Sequence, residues 1–206
     1  MSTITAPSQL VKSSGFLSFG TAKNVEKHVF SRLTRMQHHL KNTNRWDNTE
    51  PDVRRALDDI LGLTRKPIFA LEPNAISEID QLPDESLERY LTYRYRYVVW
   101  PDQKILGDYP PCFQIEPTSI CNYRCIFCYQ VDKSFSAKKS PHMGTMNFDL
   151  CKSAVDEIEG HVEAINIASR GEPLVSPILP QILEYLRGKF LAVKVNTNAS
   201  LLDEKK

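Results

Sequence analysis

The sequence predicts an α/β fold with parallel strands, preceded by a mainly helical extension. In the second half, short apolar runs alternate with stretches of helical period in the order strand, loop, helix, and this alternation argues for parallel strands joined by right-handed crossovers. In the first half, apolar residues recur at spacings of three and four, as in helices with one buried face. A third observation fixes where chemistry belongs: Cys121, Cys125 and Cys128 stand in eight residues directly after the first strand of the second half.

Taken in order, residues 1–22 read as a flexible leader rich in Ser, Thr and Gly. Residues 23–110 read as the helical extension. Val25, Val29, Leu33, Met36 and Leu40 mark a helix over Lys23–Lys41, and Val53, Leu57, Ile60 and Leu61 mark a second over Asp52–Leu63. A third covers Asp84 to about Tyr93. Tyr93, Tyr95 and Tyr97 then alternate with Arg94 and Arg96, which is the period of a strand. Pro101, Pro110 and Pro111 punctuate the passage into the second half.

Residues 111–206 change character. Phe113–Glu116 is a short strand leading into the cysteine run. Asp149–Glu159 is a helix with Leu150, Ala154, Val155 and Ile158 facing inward. Ala164–Ala168 is a buried strand. Ser176 offers an N-cap, Pro177 suits a first turn and Gly188 can end the helix between them, with Ile178, Ile182, Leu183 and Leu186 inside. Leu191–Val195 is the third strand. Loops after the C-terminal ends of parallel strands share one face. Cys121–Cys128, Ser169-Arg170-Gly171-Glu172-Pro173 and Asn196-Thr197-Asn198 should therefore converge.

Composition excludes several classes. Among 206 residues the net charge is +1, so nothing draws the chain to nucleic acid or an anionic membrane. No apolar run is long enough to span a bilayer, and the N-terminus lacks a secretory h-region. Arginine is absent before Arg32, unlike a transit peptide. Five cysteines, three of them crowded together, argue against a disulfide framework and for a reducing cytoplasm.

The cysteine spacing is C-x3-C-x2-C. Three thiolates on one loop can hold a metal centre that keeps a coordination position free, whereas a structural zinc site wants four ligands. A zinc- or cluster-binding interaction module without catalysis is the alternative reading, with His142 as a candidate fourth ligand. Cys112 and Cys151 read as packing residues.

The run Cys121-Asn122-Tyr123-Arg124-Cys125-Ile126-Phe127-Cys128 resembles the signature of the radical S-adenosylmethionine (SAM) enzymes, with Phe127 at that family's aromatic position. The approach Phe113-Gln114-Ile115-Glu116-Pro117-Thr118 resembles the first barrel strand of the branch that includes the SPASM-type enzymes. The resemblance covers about half of the chain, from Pro111 onward. It implies a [4Fe–4S] cluster on Cys121, Cys125 and Cys128, with SAM chelating the open iron. One electron from a donor such as flavodoxin or ferredoxin then yields methionine and a 5′-deoxyadenosyl radical that abstracts hydrogen from substrate. Gly171-Glu172-Pro173 resembles the family's Gly-Gly-Glu-Pro motif, which meets the SAM amino group; Arg170 stands where the first glycine would be. Asn198, in Asn196-Thr197-Asn198-Ala199, resembles a polar contact on the SAM side, and the Phe127 backbone one to adenine, its ring shielding the cluster. The implied fold is an incomplete parallel (β/α) barrel of about three βα units. A full core of the family has more such units, so the sequence reads as a truncated product, a fragment, or half of a split enzyme whose barrel a second polypeptide completes.

Overall fold

The computed structural model describes residues 19–137, 139–168 and 170–203, with backbone alone for residues 19–23. Most of the expected leader, together with Lys138 and Ser169, lies outside the described residues. These fall into two compact units, divided between Gly107 and Asp108.

The first unit is helical. It contains α1 (Phe19–Asn42), α2 (Pro51–Ile60), α3 (Pro73–Gln81) and α4 (Leu87–Gln103). The first helix thus begins within the segment that the sequence assigns to the leader. Val29, Leu33 and Leu40 of α1, Val53 and Leu57 of α2, and Ile79 of α3 are buried together with Leu87, Tyr90, Leu91, Tyr95 and Val99 of α4. The buried Arg32 guanidinium satisfies the end of α3, donating to the carbonyls of Ile79 (2.6 Å) and Leu82 (2.5 Å) and to the Asp84 carboxylate.

One helix is added here and one expectation changes. Helix α3 carries little sequence signal beyond Pro73 at its first turn. The Tyr/Arg alternation is not a strand: α4 runs through it to Gln103. Burial decides the matter. Leu87, Tyr90, Leu91, Arg94, Tyr95 and Val99 form a buried stripe, at spacings of three, one, three, one and four. Tyr93 is buried as well, and its ring lies against Tyr90 and Tyr97. Tyrosine and arginine both have polar tips and apolar bodies, so alternation in residue type here does not report alternation in burial.

The second unit is α/β. Strands β1 (Phe113–Ile115), β2 (Ala164–Ile167) and β3 (Ala192–Val195) form a parallel sheet in that order, with Ile115 opposite Ile167 and Ile167 opposite Val195. Between β1 and β2 come a short α5 (Lys133–Ser136) and α6 (Phe148–Ile158); α7 (Leu179–Leu186) links β2 to β3. Ile115, Ile165, Ile167, Cys151, Val155, Ile158, Ile182 and Leu186 make the core.

Asn147 caps α6, its side-chain oxygen accepting from the Leu150 amide at 2.8 Å. Leu150 does not face inward; it is 58 % exposed, and Cys151 takes the core position. Cys151, Val155 and Ile158 are spaced by four and three, and Leu150 falls off that stripe. Ser176 does not cap α7. A 3-10 turn at Pro173–Val175 comes first, α7 starts at Leu179, and the buried Ser176 hydroxyl has no hydrogen-bond partner among the described residues. Leu183 is partly exposed, whereas Leu179 is buried. Gly188 turns the chain out of α7 with φ +74°, a conformation most side chains resist.

Candidate metal and cofactor site

The chain that leaves β1 is clamped before it reaches the first cysteine. Met146 donates to the Pro117 carbonyl at 2.9 Å, Ser119 donates to the Gly144 carbonyl at 3.0 Å, and the Thr118 and Thr145 hydroxyls are 3.1 Å apart. Cys121, Cys125 and Cys128 then sit on one loop, each a partly buried free thiol. Within it the Cys128 amide donates to the Cys125 carbonyl (2.9 Å) and the Tyr123 amide to the Cys121 sulfur (3.4 Å). Ile126 and Phe127 are 93 % and 89 % exposed. The Phe127 ring is thus largely open to solvent.

The loop after β2 packs on this one. Glu172 donates its amide to the Ile120 carbonyl at 3.0 Å, one residue before Cys121. Gly171 lies so close that a Cβ there would stand 1.9 Å from the Thr118 carbonyl oxygen. Arg170, where a glycine was the expected residue, donates from its backbone amide and its guanidinium to Glu116 at the end of β1 (2.9, 3.0 and 2.5 Å) and to the His142 carbonyl at 2.9 Å. The carboxylate holds the guanidinium's pKa above its ordinary value. Glu116 and Arg170 follow strands in register, which explains how opposite charges come to meet there.

The Glu172 side chain is 3 % exposed and joins the second loop to the third. Its carboxylate accepts from the Leu174 amide (3.0 Å), the Thr197 hydroxyl (2.5 Å) and the Asn198 amide (2.7 Å). Asn198 in turn donates to the Asn122 side chain at 3.0 Å, and Asn122 donates to the Ser200 hydroxyl at 2.8 Å. Gly171, Glu172, Asn198 and the three cysteines are thus brought together at the C-terminal end of the sheet. Much of the Glu172 carboxylate's accepting capacity is committed to the protein itself.

The donor set suits an iron–sulfur cluster. Three soft sulfur donors share one loop without a disulfide, and no fourth cysteine lies on it. Among the described residues no three His, Cys, Asp or Glu side chains gather tightly enough for a single metal ion. A cubane asks for less convergence, because each thiolate takes a different iron. The ring of His142 lies 5.3 Å from that of Phe135, which itself packs against Tyr129 just after Cys128. Cys112 and Cys151 stand apart; burial raises both thiol pKa values.

Sequence reasoning missed Gln130, Asn122 and Thr197 as ties between loops, and Glu116 as the partner of Arg170. The Glu116–Arg170 pair had a signal, opposite charges just beyond neighbouring parallel strands. The others are ordinary polar loop residues and had none.

Two curated relatives match the part of the chain that carries these loops. The chain is 35 % identical over 92 residues to "Mycofactocin maturase MftC" of Mycobacterium tuberculosis, covering 44 % of this chain and 22 % of the relative. It is 27 % identical over 86 residues to "Fe-coproporphyrin III synthase" of Methanosarcina barkeri, covering 42 % of this chain and 20 % of that one. Both are radical SAM enzymes, the maturase of the SPASM type, so the resemblance read from the cysteine run holds. The chain spans about a fifth of the length of these curated relatives. No family model and no solved structure matches it. Among the described residues no helix is long and apolar enough to cross a membrane.

Proposed function

We propose that this chain is the cluster-bearing part of a radical SAM enzyme, its sheet being the first three strands of a parallel (β/α) barrel. Cys121, Cys125 and Cys128 hold a [4Fe–4S] cluster, and Gly171, Glu172, Asn198 and the Phe127 backbone form the SAM side of the pocket. The observation that carries the reading is the tying of all three post-strand loops to one another: Glu172 to Ile120, Glu172 to Asn198, and Asn198 to Asn122. When bound, the cluster supplies the electron that cleaves SAM into methionine and a 5′-deoxyadenosyl radical for hydrogen abstraction.

The protein's own residues fix where that happens. Gly171 lets the second loop lie against the approach to the cysteines. Glu172 sets the height of the Asn198 turn. A SAM ammonium beside it would be a further charge-assisted donor. The electron comes from a donor such as flavodoxin or ferredoxin.

Anaerobic reconstitution with iron and sulfide tests this. The expected result is a cluster whose electron paramagnetic resonance spectrum changes when SAM is added. Tight zinc uptake with no response to SAM would overturn it in favour of a non-catalytic zinc-binding module.

A further inference from the structure

We propose that Gln130 is a positioning residue, bracing the neck of the cysteine loop and fixing it against the Gly171-Glu172 loop; this rests on the reading of those loops as a cluster and SAM site. Gln130 lies two residues after Cys128, and Ser119 two residues before Cys121. The Gln130 amide nitrogen donates to the Ser119 carbonyl at 3.1 Å and also to the Arg170 carbonyl. One NH2 group therefore closes the cysteine loop across its base and binds it to the residue before Gly171.

The amide orientation is not arbitrary. Turning it over would set its oxygen against two carbonyl oxygens, so the nitrogen must face them. The consequence is that Oε1 points inward with no hydrogen-bond partner among the described residues, in a side chain only 3 % exposed. An unpaired buried acceptor is a cost to stability. What the amide supplies is a two-point hold on chain segments on either side of the thiolates.

The neighbours reinforce this. Arg170 is itself held by Glu116, and Ser119 by Gly144, so both acceptors of the Gln130 amide are anchored. Cys121 and Cys128 thereby inherit a fixed separation. The second loop inherits a fixed distance from them. The hold acts through backbone carbonyls and touches neither thiolates nor any ligand.

The test uses the full chain with Gln130→Met and Gln130→Glu, which keep the side chain's length and remove its paired donors. After anaerobic reconstitution, both variants should hold iron close to the parent's content, because all three thiolates remain. Their cluster midpoint potential should shift, and the SAM-induced change in the paramagnetic spectrum should need about tenfold more SAM. In the protein before reconstitution, proteolytic nicking within residues 121–128 should quicken. If one variant does not fold, Gln130→Asn, an amide too short to span both carbonyls, carries the same test. Parent-like potential, SAM response and nicking rate in a folded variant would overturn the proposal. A parent protein that takes up no cluster sinks the radical SAM reading instead, and the nicking comparison then decides the brace by itself.

Discussion

The carbonyl oxygen of Thr118 occupies the space that a Cβ on Gly171 would need, 1.9 Å from its ideal position. The obstacle is backbone on the clamped approach to the cysteines, so it cannot rotate away. Gly171→Ala should force the two loops apart and cost about 1–3 kcal/mol, the usual range for overpacking. Urea denaturation of parent and variant measures it; equal midpoints would show that the loops are not packed as described.

Glu172→Gln tests the joint between the second and third loops. The amide presents a donor to a cluster of three donors, from Leu174, Thr197 and Asn198. A loss of about 1–3 kcal/mol is expected, the cost of leaving buried polar groups unmatched. Hydrogen exchange at the Leu174 and Asn198 amides should quicken, and unchanged protection at both would count against the joint.

Iron content distinguishes the three loop thiols from the other two. Replacing any one of Cys121, Cys125 and Cys128 with alanine should remove most of the reconstituted iron, since two thiolates hold a cubane poorly. Cys112→Ala and Cys151→Ala should leave it intact. Full iron in Cys125→Ala would refute the ligand assignment.

Alkaline pH should weaken the α/β unit through Cys151. Burial raises its folded thiol pKa, while in the unfolded chain the thiol ionises around pH 8.5. The thiol's contribution is fully present below the unfolded value and is lost as pH rises from there toward the folded value. The urea midpoint should fall over that window, and the fall should be smaller in Cys151→Ala. In the folded protein, Cys151 should also be the last cysteine to react with iodoacetamide at pH 8, because only the thiolate attacks.

The α/β half was legible because its signals are local. Apolar runs such as Ala164-Ile165-Asn166-Ile167 fit strands of a parallel sheet, and the cysteine spacing needs no tertiary information. The strand-end rule then brought Glu172 and Asn198 to the cysteine loop. What stayed hidden depends on burial or on backbone contact. Leu150 and Cys151 differ by one position, and only packing shows which faces the core. Ser176 has the chemistry of a cap, but the Pro173–Val175 turn moves the helix start beyond it. The closeness of Thr118 to Gly171 is a backbone-to-backbone distance, which no residue type encodes. The Tyr93–Tyr97 stretch misled because polar tips on apolar stems blur the burial pattern of a helix.

Strand order in the sheet is also chain order, β1 then β2 then β3. Each new strand joins the one made just before it, and the longest tie at the site, from Asn122 to Ser200, spans 78 residues. A chain emerging from the ribosome can therefore build this region progressively. The cysteine loop comes first, held at its base by Gln130 to Ser119. The Gly171-Glu172 loop follows, and the Asn198 turn closes last onto both. Until that final step, Asn122, the residue after Cys121, would lack its bonds to Asn198 and Ser200. Iron delivery during synthesis would meet an accessible loop, and an oxidant arriving in the same interval would meet the same three sulfurs.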